Sequence, residues 1–166
     1  MDIGLLVLRI VLGLVMAAHG TQKLFGWFGG HGIAGTGGFL ESLGFRPGRI
    51  FAGAAALSEA GGGVLIASGL LGPVGPALML SVMIVAAISV HWANGMFATS
   101  NGIELPLLYG TGAVALALAA AGAYSLDALL GITTLWTPGL AWVALVVGAI
   151  GGVGNLALRT PVPATA

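Results

Sequence analysis

Seven polar side chains stand inside or at the ends of otherwise apolar stretches: Arg9, His19, Lys23, Glu59, His91, Asn94 and Glu104. Arginine and lysine bind anions, while histidine and glutamate exchange protons, so together they offer anion binding coupled to proton movement. Carbon-rich neighbours make each of them expensive, because a charge at the centre of a membrane helix costs roughly 3 kcal/mol. Such groups face the interior of a bundle and find partners. Taking Arg9 as the origin and about 100° per residue, His19 falls near 280° and Lys23 near 320°. One stripe of a first helix is therefore polar and the remainder is lipid-like.

Axial rise extends the argument to partners. A second helix returning antiparallel puts Glu59 near mid-membrane, roughly 10 Å along the axis from Arg9 at 1.5 Å per residue. Arg9 and Glu59 are thus expected as a buried ion pair. His19 and Lys23 lie toward the other end, where a third helix delivers His91 and Asn94 and a fourth begins at Asn101 and Glu104. His19, Lys23, His91, Asn94 and Glu104 are the expected ligand-binding group. Blander roles stand beside these. Arg9 and Glu59 can simply lock helix register, Lys23 and Glu104 can anchor at the interface, and Met16, Met79, Met83 and Met96 suit packing. His31 reads as solvated, whereas His19, two turns inside, has no obvious structural need. A haem between His19 and His91, or a metal on His19, His91 and Glu104, is conceivable, but nothing selects a metal over hydrogen bonds. No metal site is assigned, and no residue set identifies a catalytic centre.

Positioning these groups falls to membrane spans. The 166 residues are 58% hydrophobic and 6% charged, where a soluble domain carries about 25% charge. A polar shell cannot be built from ten charges, and no basic surface exists for nucleic acid, so a soluble enzyme and a nucleic-acid binder are both excluded. Cysteine is absent, which removes disulfides and thiolate chemistry. Asp2, Arg9 and Lys23 argue against a cleaved leader. Spans of about 20 apolar residues are expected at 3–25, 50–71, 73–93, 105–123 and 138–158. Between the first two, eight of the nineteen residues from Gly26 to Gly44 are glycine, interleaved with Trp27, Phe28 and Phe39. That segment suits the membrane interface. Ser125–Leu130 reads as a short capped helix, and Ser58/Gly62 and Ala144/Gly148/Gly152 are small residues at the spacing of close helix contacts. Lys23, Arg46, Arg49 and Arg159 fall on one side of the membrane, which places the 26–49 loop in the cytoplasm and the N-terminus outside.

At these residues the chain resembles the DoxX family of small bacterial membrane proteins, over about Met1 to Ile132. The carriers are Arg9 with Gly13, then His19-Gly20-Thr21-Gln22-Lys23-Leu24-Phe25-Gly26-Trp27-Phe28-Gly29-Gly30, Leu43-Gly44-Phe45-Arg46-Pro47-Gly48 and Glu59-Ala60-Gly61-Gly62. His91 with Asn94-Gly95, Asn101-Gly102-Ile103-Glu104 and Ser125-Leu126-Asp127 complete an ordered set in which no single motif is specific. Leu105 stands where an aromatic often follows the fourth-helix acid, and Ala123-Tyr124 where a basic residue often precedes Ser-Leu-Asp. The resemblance implies an all-α polytopic membrane bundle: a four-helix core over 1–132 and, over 133–166, an additional transmembrane helix and short tail.

It also implies a bacterial plasma-membrane location and association with quinol oxidase, thiosulfate:quinone oxidoreductase or oxidative-stress assemblies. The leading functional expectation is a membrane subunit of a quinone-linked oxidoreductase, with no intrinsic cofactor, quinone as the candidate ligand and a partner supplying electrons. A carrier of a small anion or weak acid, and a structural subunit without ligand, are the alternatives. Partners are the lipid bilayer and an oxidoreductase or other membrane subunit, or a second copy docked through the fifth helix.

Overall fold

The computed structural model describes residues 2–160; the last part of the expected tail, 161–166, lies outside them. Every regular element among the described residues is helical. Helix α1 (Asp2–Phe25) leads into a glycine-rich segment that folds as a short helix α2 (Gly32–Ser42), followed by α3 (Gly48–Ser68). Helix α4 (Val74–Ala86) runs on through a π turn at Ala87–His91 and a tight turn at Trp92–Asn94. Helices α5 (Glu104–Ala119), α6 (Leu126–Leu129) and α7 (Pro138–Ala157) complete the chain. Four segments of 20 or more residues are long and apolar enough to cross a membrane: α1, α3, Val74–Asn94 and α7.

Helix α5, at 16 residues, is about 24 Å long and ends four residues before the expected 123, where Ala120 turns to a positive φ. It crosses the bundle nonetheless. The chain after α5 returns to the start of α1, where the Ala123 N–H donates to Asp2. The end of α7 lies at the opposite pole, where Arg159 Nε donates to the Leu43 carbonyl at 2.9 Å and Arg159 stacks on Phe45. Only five crossings satisfy both contacts. Arg159 therefore joins Lys23, Arg46 and Arg49 at one pole.

The tightest pair is α1 against α3, and glycine is the reason. A Cβ on Gly13 would lie 2.5 Å from the Ala67 nitrogen and 2.6 Å from the Gly63 carbonyl oxygen. Gly20 is pressed on Ala56 and Ala60, and Gly63 on Gly13 and Ala17, just as closely. Lipid tails are as apolar as side chains, so helices associate here by backbone proximity and van der Waals contact. Helix α7 seats on α4 the same way, with Gly148 against the Ala77 backbone and Gly152 against Ser81 and Ile84.

At the Arg9 pole, the α3–α4 connection is capped by a side chain distant in sequence. Asp127 is fully buried and accepts from the backbone N–H groups of Leu71 (2.9 Å) and Gly72 (2.7 Å). Its own N–H donates to the Gly69 carbonyl. Ser125 caps α6 as expected, accepting from Ala128 N–H at 3.1 Å. The short capped helix expected at Ser125–Leu130 is thus anchored into the bundle through Asp127.

Two stability predictions follow from this packing. Gly13→Ala and Gly20→Ala should each destabilise by about 1–3 kcal/mol through overpacking, read as a fall of several degrees in melting temperature in detergent. Gly61→Ala, where a Cβ meets nothing, should be neutral or slightly stabilising because alanine favours helix; equal losses at all three positions would refute the close contact. Asp127→Asn should also destabilise, since an amide accepts with one atom only and leaves a buried N–H facing its own NH2 group, at about 1–3 kcal/mol. A melting temperature equal to wild type would show that the cap contributes nothing.

Candidate functional site

The register of α1 and α3 decides which charges meet. Gly20 lies opposite Ala56 and Ala60, so Glu59 is level with the last turns of α1. Every Cα–Cβ bond tilts toward its helix N-terminus. Glu59 on α3 therefore leans toward the glycine-rich pole, and Lys23 on α1 leans back into the bundle, each toward the other. Lys23 Nζ forms an ion pair and hydrogen bond with Glu59 Oε2. The Glu59 side chain is 4% exposed and that of Lys23 is 30% exposed, so the lysine is the member of the pair that reaches solvent or lipid headgroups.

The expected Arg9–Glu59 pair is accordingly not formed. The same tilt toward the α1 N-terminus carries Arg9 away from Glu59, and its guanidinium packs on Gly69, whose missing side chain makes the room. Arg9 Nη2 donates to the Tyr124 carbonyl. Arg9 Nε and Nη1 have no hydrogen-bond partner among the described residues, although the residue is 3% exposed. Among the described residues Lys23–Glu59 is the one ion pair.

Above Lys23, the glycine-rich segment closes into a roof. Gly30 is pressed directly on Gln22, where a Cβ would lie 2.6 Å from the Gln22 Cα. Gln22 Nε2 donates to the Phe28 carbonyl at 3.2 Å. Helix α2 is held to α3 by Gly37 against Arg49 and by Glu41, which accepts from Gly48 N–H at 2.9 Å. Between α2 and the last turn of α1 lies an open cavity of about 340 Å³, lined by Gln22, Lys23, His31, Thr36 and Phe39 together with glycines. An ammonium, an imidazole, a carboxamide and a hydroxyl thus share one space, with a buried carboxylate behind the ammonium. This arrangement can hold a carbonyl or an anion and pass a proton inward.

The remaining expected site residues divide. His19 is next to this cavity: its Nδ1 lies 3.1 Å from Gln22 Oε1, and its ring meets Tyr109 edge-on at 6.4 Å. His91, Asn94 and Glu104 shape the α4–α5 connection. His91 Nδ1 donates to the Asn101 carbonyl at 2.7 Å, Asn94 Nδ2 donates to Val90 and Asn101, and Glu104 accepts from Ala98 N–H at 2.7 Å. No hydrogen bond joins these three to His19 or Lys23 among the described residues, and no three His, Asp or Glu side chains there are grouped to hold a metal ion. Sequence reasoning reads His31 as solvated, places Gln22 only within the motif around Lys23 and gives Thr36 no role; the density of glycine around them is what lets the segment fold back on α1.

Double-mutant analysis separates the two pairings. Lys23→Met or Glu59→Gln should each lower stability, because breaking a buried pair leaves an uncompensated partner, a cost of up to about 3–5 kcal/mol. The combination Lys23→Met/Glu59→Gln should recover much of that loss, while Arg9→Met and Glu59→Gln should be additive. Coupling between Arg9 and Glu59, with none between Lys23 and Glu59, would reverse the assignment.

No curated protein and no solved structure matches the chain. A family model, DoxX, matches residues 4–92, a stretch that holds α1 through the π turn and therefore Arg9, Lys23, the roof over the cavity and Glu59. With more than half of its length matched and its ion pair and cavity inside the match, the chain is an integral membrane protein of the DoxX family.

Proposed function

We propose that this protein is the membrane subunit of a quinone-linked oxidoreductase or redox-stress assembly of the bacterial plasma membrane, and that the cavity under α2 receives a quinone-like head group. One observation carries the reading: Lys23 is bonded to the buried Glu59 and lines an open cavity shared with His31, Gln22 and Thr36. A quinone carbonyl accepts hydrogen bonds, which Lys23, His31 and Gln22 can donate. Its reduction consumes protons, which His31 and the Lys23–Glu59 pair can supply, while His19 orients Gln22 from behind. Electrons come from a partner subunit in this reading, and His91, Asn94 and Glu104 support the site by shaping the neighbouring connection. The shared pole of Lys23, Arg46, Arg49 and Arg159 favours a cytoplasmic position for the cavity.

Titration of the purified protein with decylubiquinone tests this. Binding should weaken at least tenfold in His31→Gln and in Gln22→Leu, with melting temperature within a few degrees of wild type, and Lys23→Gln should abolish it. Unchanged affinity in His31→Gln and Gln22→Leu would overturn the assignment. Saturable binding of benzoate, with none of decylubiquinone, would replace it with an anion carrier.

A further inference from the structure

A second cavity lies between α3, α4 and α7, away from the charged one. It is partly enclosed, about 80 Å³ in volume, where one water needs roughly 10–15 Å³. Its walls are Phe45, Phe51, Ala54, Ala55, Val82 and Val85, and three polar side chains enter it: Ser58, Ser81 and Asn155. The space exists because small residues face each other from three helices. On α7 even a Cβ at Gly151 would lie 3.5 Å from Ser81 Oγ.

The hydrogen-bonding capacity of this cavity is unspent. Ser68 and Ser89 turn their hydroxyls back on the carbonyls of Val64 and Val85, the usual recourse of serine in an apolar helix. Ser58 and Ser81 make no such bond and line the cavity instead. Asn155 Nδ2 donates to the Gly151 carbonyl at 2.9 Å. Since a carbonyl only accepts, this fixes the amide and leaves Oδ1 as an acceptor. Two hydroxyls and an amide oxygen thus face the cavity, where each can bond a polar group brought in by a ligand. No charged side chain lines the space, so a charged ligand would be stranded there.

Phe45 and Phe51 form one wall, their rings 5.3 Å apart and tilted by 52°, an arrangement that receives a third ring by offset or edge contact. From these features we infer that the α3–α4–α7 cavity binds an uncharged aromatic alcohol, a phenol ring. Its hydroxyl donates to Asn155 Oδ1 and accepts from the serine hydroxyls, while its ring lies against Phe45 and Phe51. The site needs α7, which contributes Asn155 and lies beyond the matched residues 4–92. It stands independently of whether a quinone occupies the cavity at Lys23.

Photolabelling of the full chain in lipid nanodiscs tests the proposal. Two probes are compared, 4-(3-trifluoromethyl-3H-diazirin-3-yl)phenol and the same diazirine lacking the hydroxyl. The phenol should concentrate its label on residues 45–58 and 81–85, at least fivefold above the hydroxyl-free probe, which should spread over lipid-facing positions. Ser81→Ala/Asn155→Leu should abolish that excess. Ser58→Ala, which removes the hydroxyl and adds no bulk to the cavity, should reduce it several-fold with a melting temperature close to wild type. Identical labelling patterns for the two probes, or a hydroxyl-dependent excess that survives in a folded Ser58→Ala and in the double variant, would overturn the site.

Discussion

Backbone contact between α1 and α3 is the constraint on which the other features of this molecule depend. Without water to expel from between them, two membrane helices gain by approaching until main chains touch, and only residues lacking a Cβ permit that. Gly13 and Gly20 on one helix and Gly63 on the other supply the surface. A contact of this kind tolerates one register. Sliding α3 by a turn would bring alanine or leucine side chains onto backbone atoms, so the axial positions of Glu59 and Gly69 are set before any charge is considered.

Two polar poles then follow from the direction of the Cα–Cβ bond. At one, Lys23 and Glu59 lean together and the ammonium remains open to a cavity. At the other, Arg9 leans away from Glu59 onto Gly69, and the connection around it is closed by Asp127. The first pole is open, with the Lys23 ammonium on the wall of a cavity and Glu59 buried behind it. The second is sealed, with its carboxylate spent on two backbone N–H groups, and it ties α1, α3 and the segment after α5 into one unit. An open polar cavity and a sealed anchor thereby stand at opposite ends of the same two helices.

Much of this architecture is legible in the residues. Composition and the spacing of apolar runs indicate five crossings. The charge bias puts Arg159 at the pole of Arg46, and Ser125 and Gly148/Gly152 announce a cap and a helix contact. What was not legible is informative. The Arg9–Glu59 pairing came from axial depth alone, which ignores the lean of the side chains and the register imposed by Gly13 and Gly20. Asp127 was invisible as a core residue because its partners are main-chain groups of Leu71 and Gly72, which carry no residue-type signal. His31 is the exposed loop residue that its sequence suggests; its place beside Lys23 on the cavity wall depends on how the glycine-rich segment folds back. The expected fourth span is a helix of only 16 residues, shorter than the four segments long enough to cross a membrane, because Ala120 and Gly122 turn to positive φ and end it.

The central claim is that helix register delivers Lys23, and not Arg9, to Glu59. The chain contains a single lysine and three glutamates, Glu41, Glu59 and Glu104, so rotational-echo double-resonance solid-state NMR can address it directly. With ¹⁵N on lysine Nζ and ¹³C on glutamate Cδ, in lipid, one of the three carboxylate signals should dephase at a separation of about 3–4 Å, the range of a hydrogen-bonded ion pair. That signal should vanish in Glu59→Gln. Absence of dephasing by lysine, with strong dephasing of the Glu59 carboxylate in a sample labelled on arginine nitrogens, would contradict the register and the site built on it.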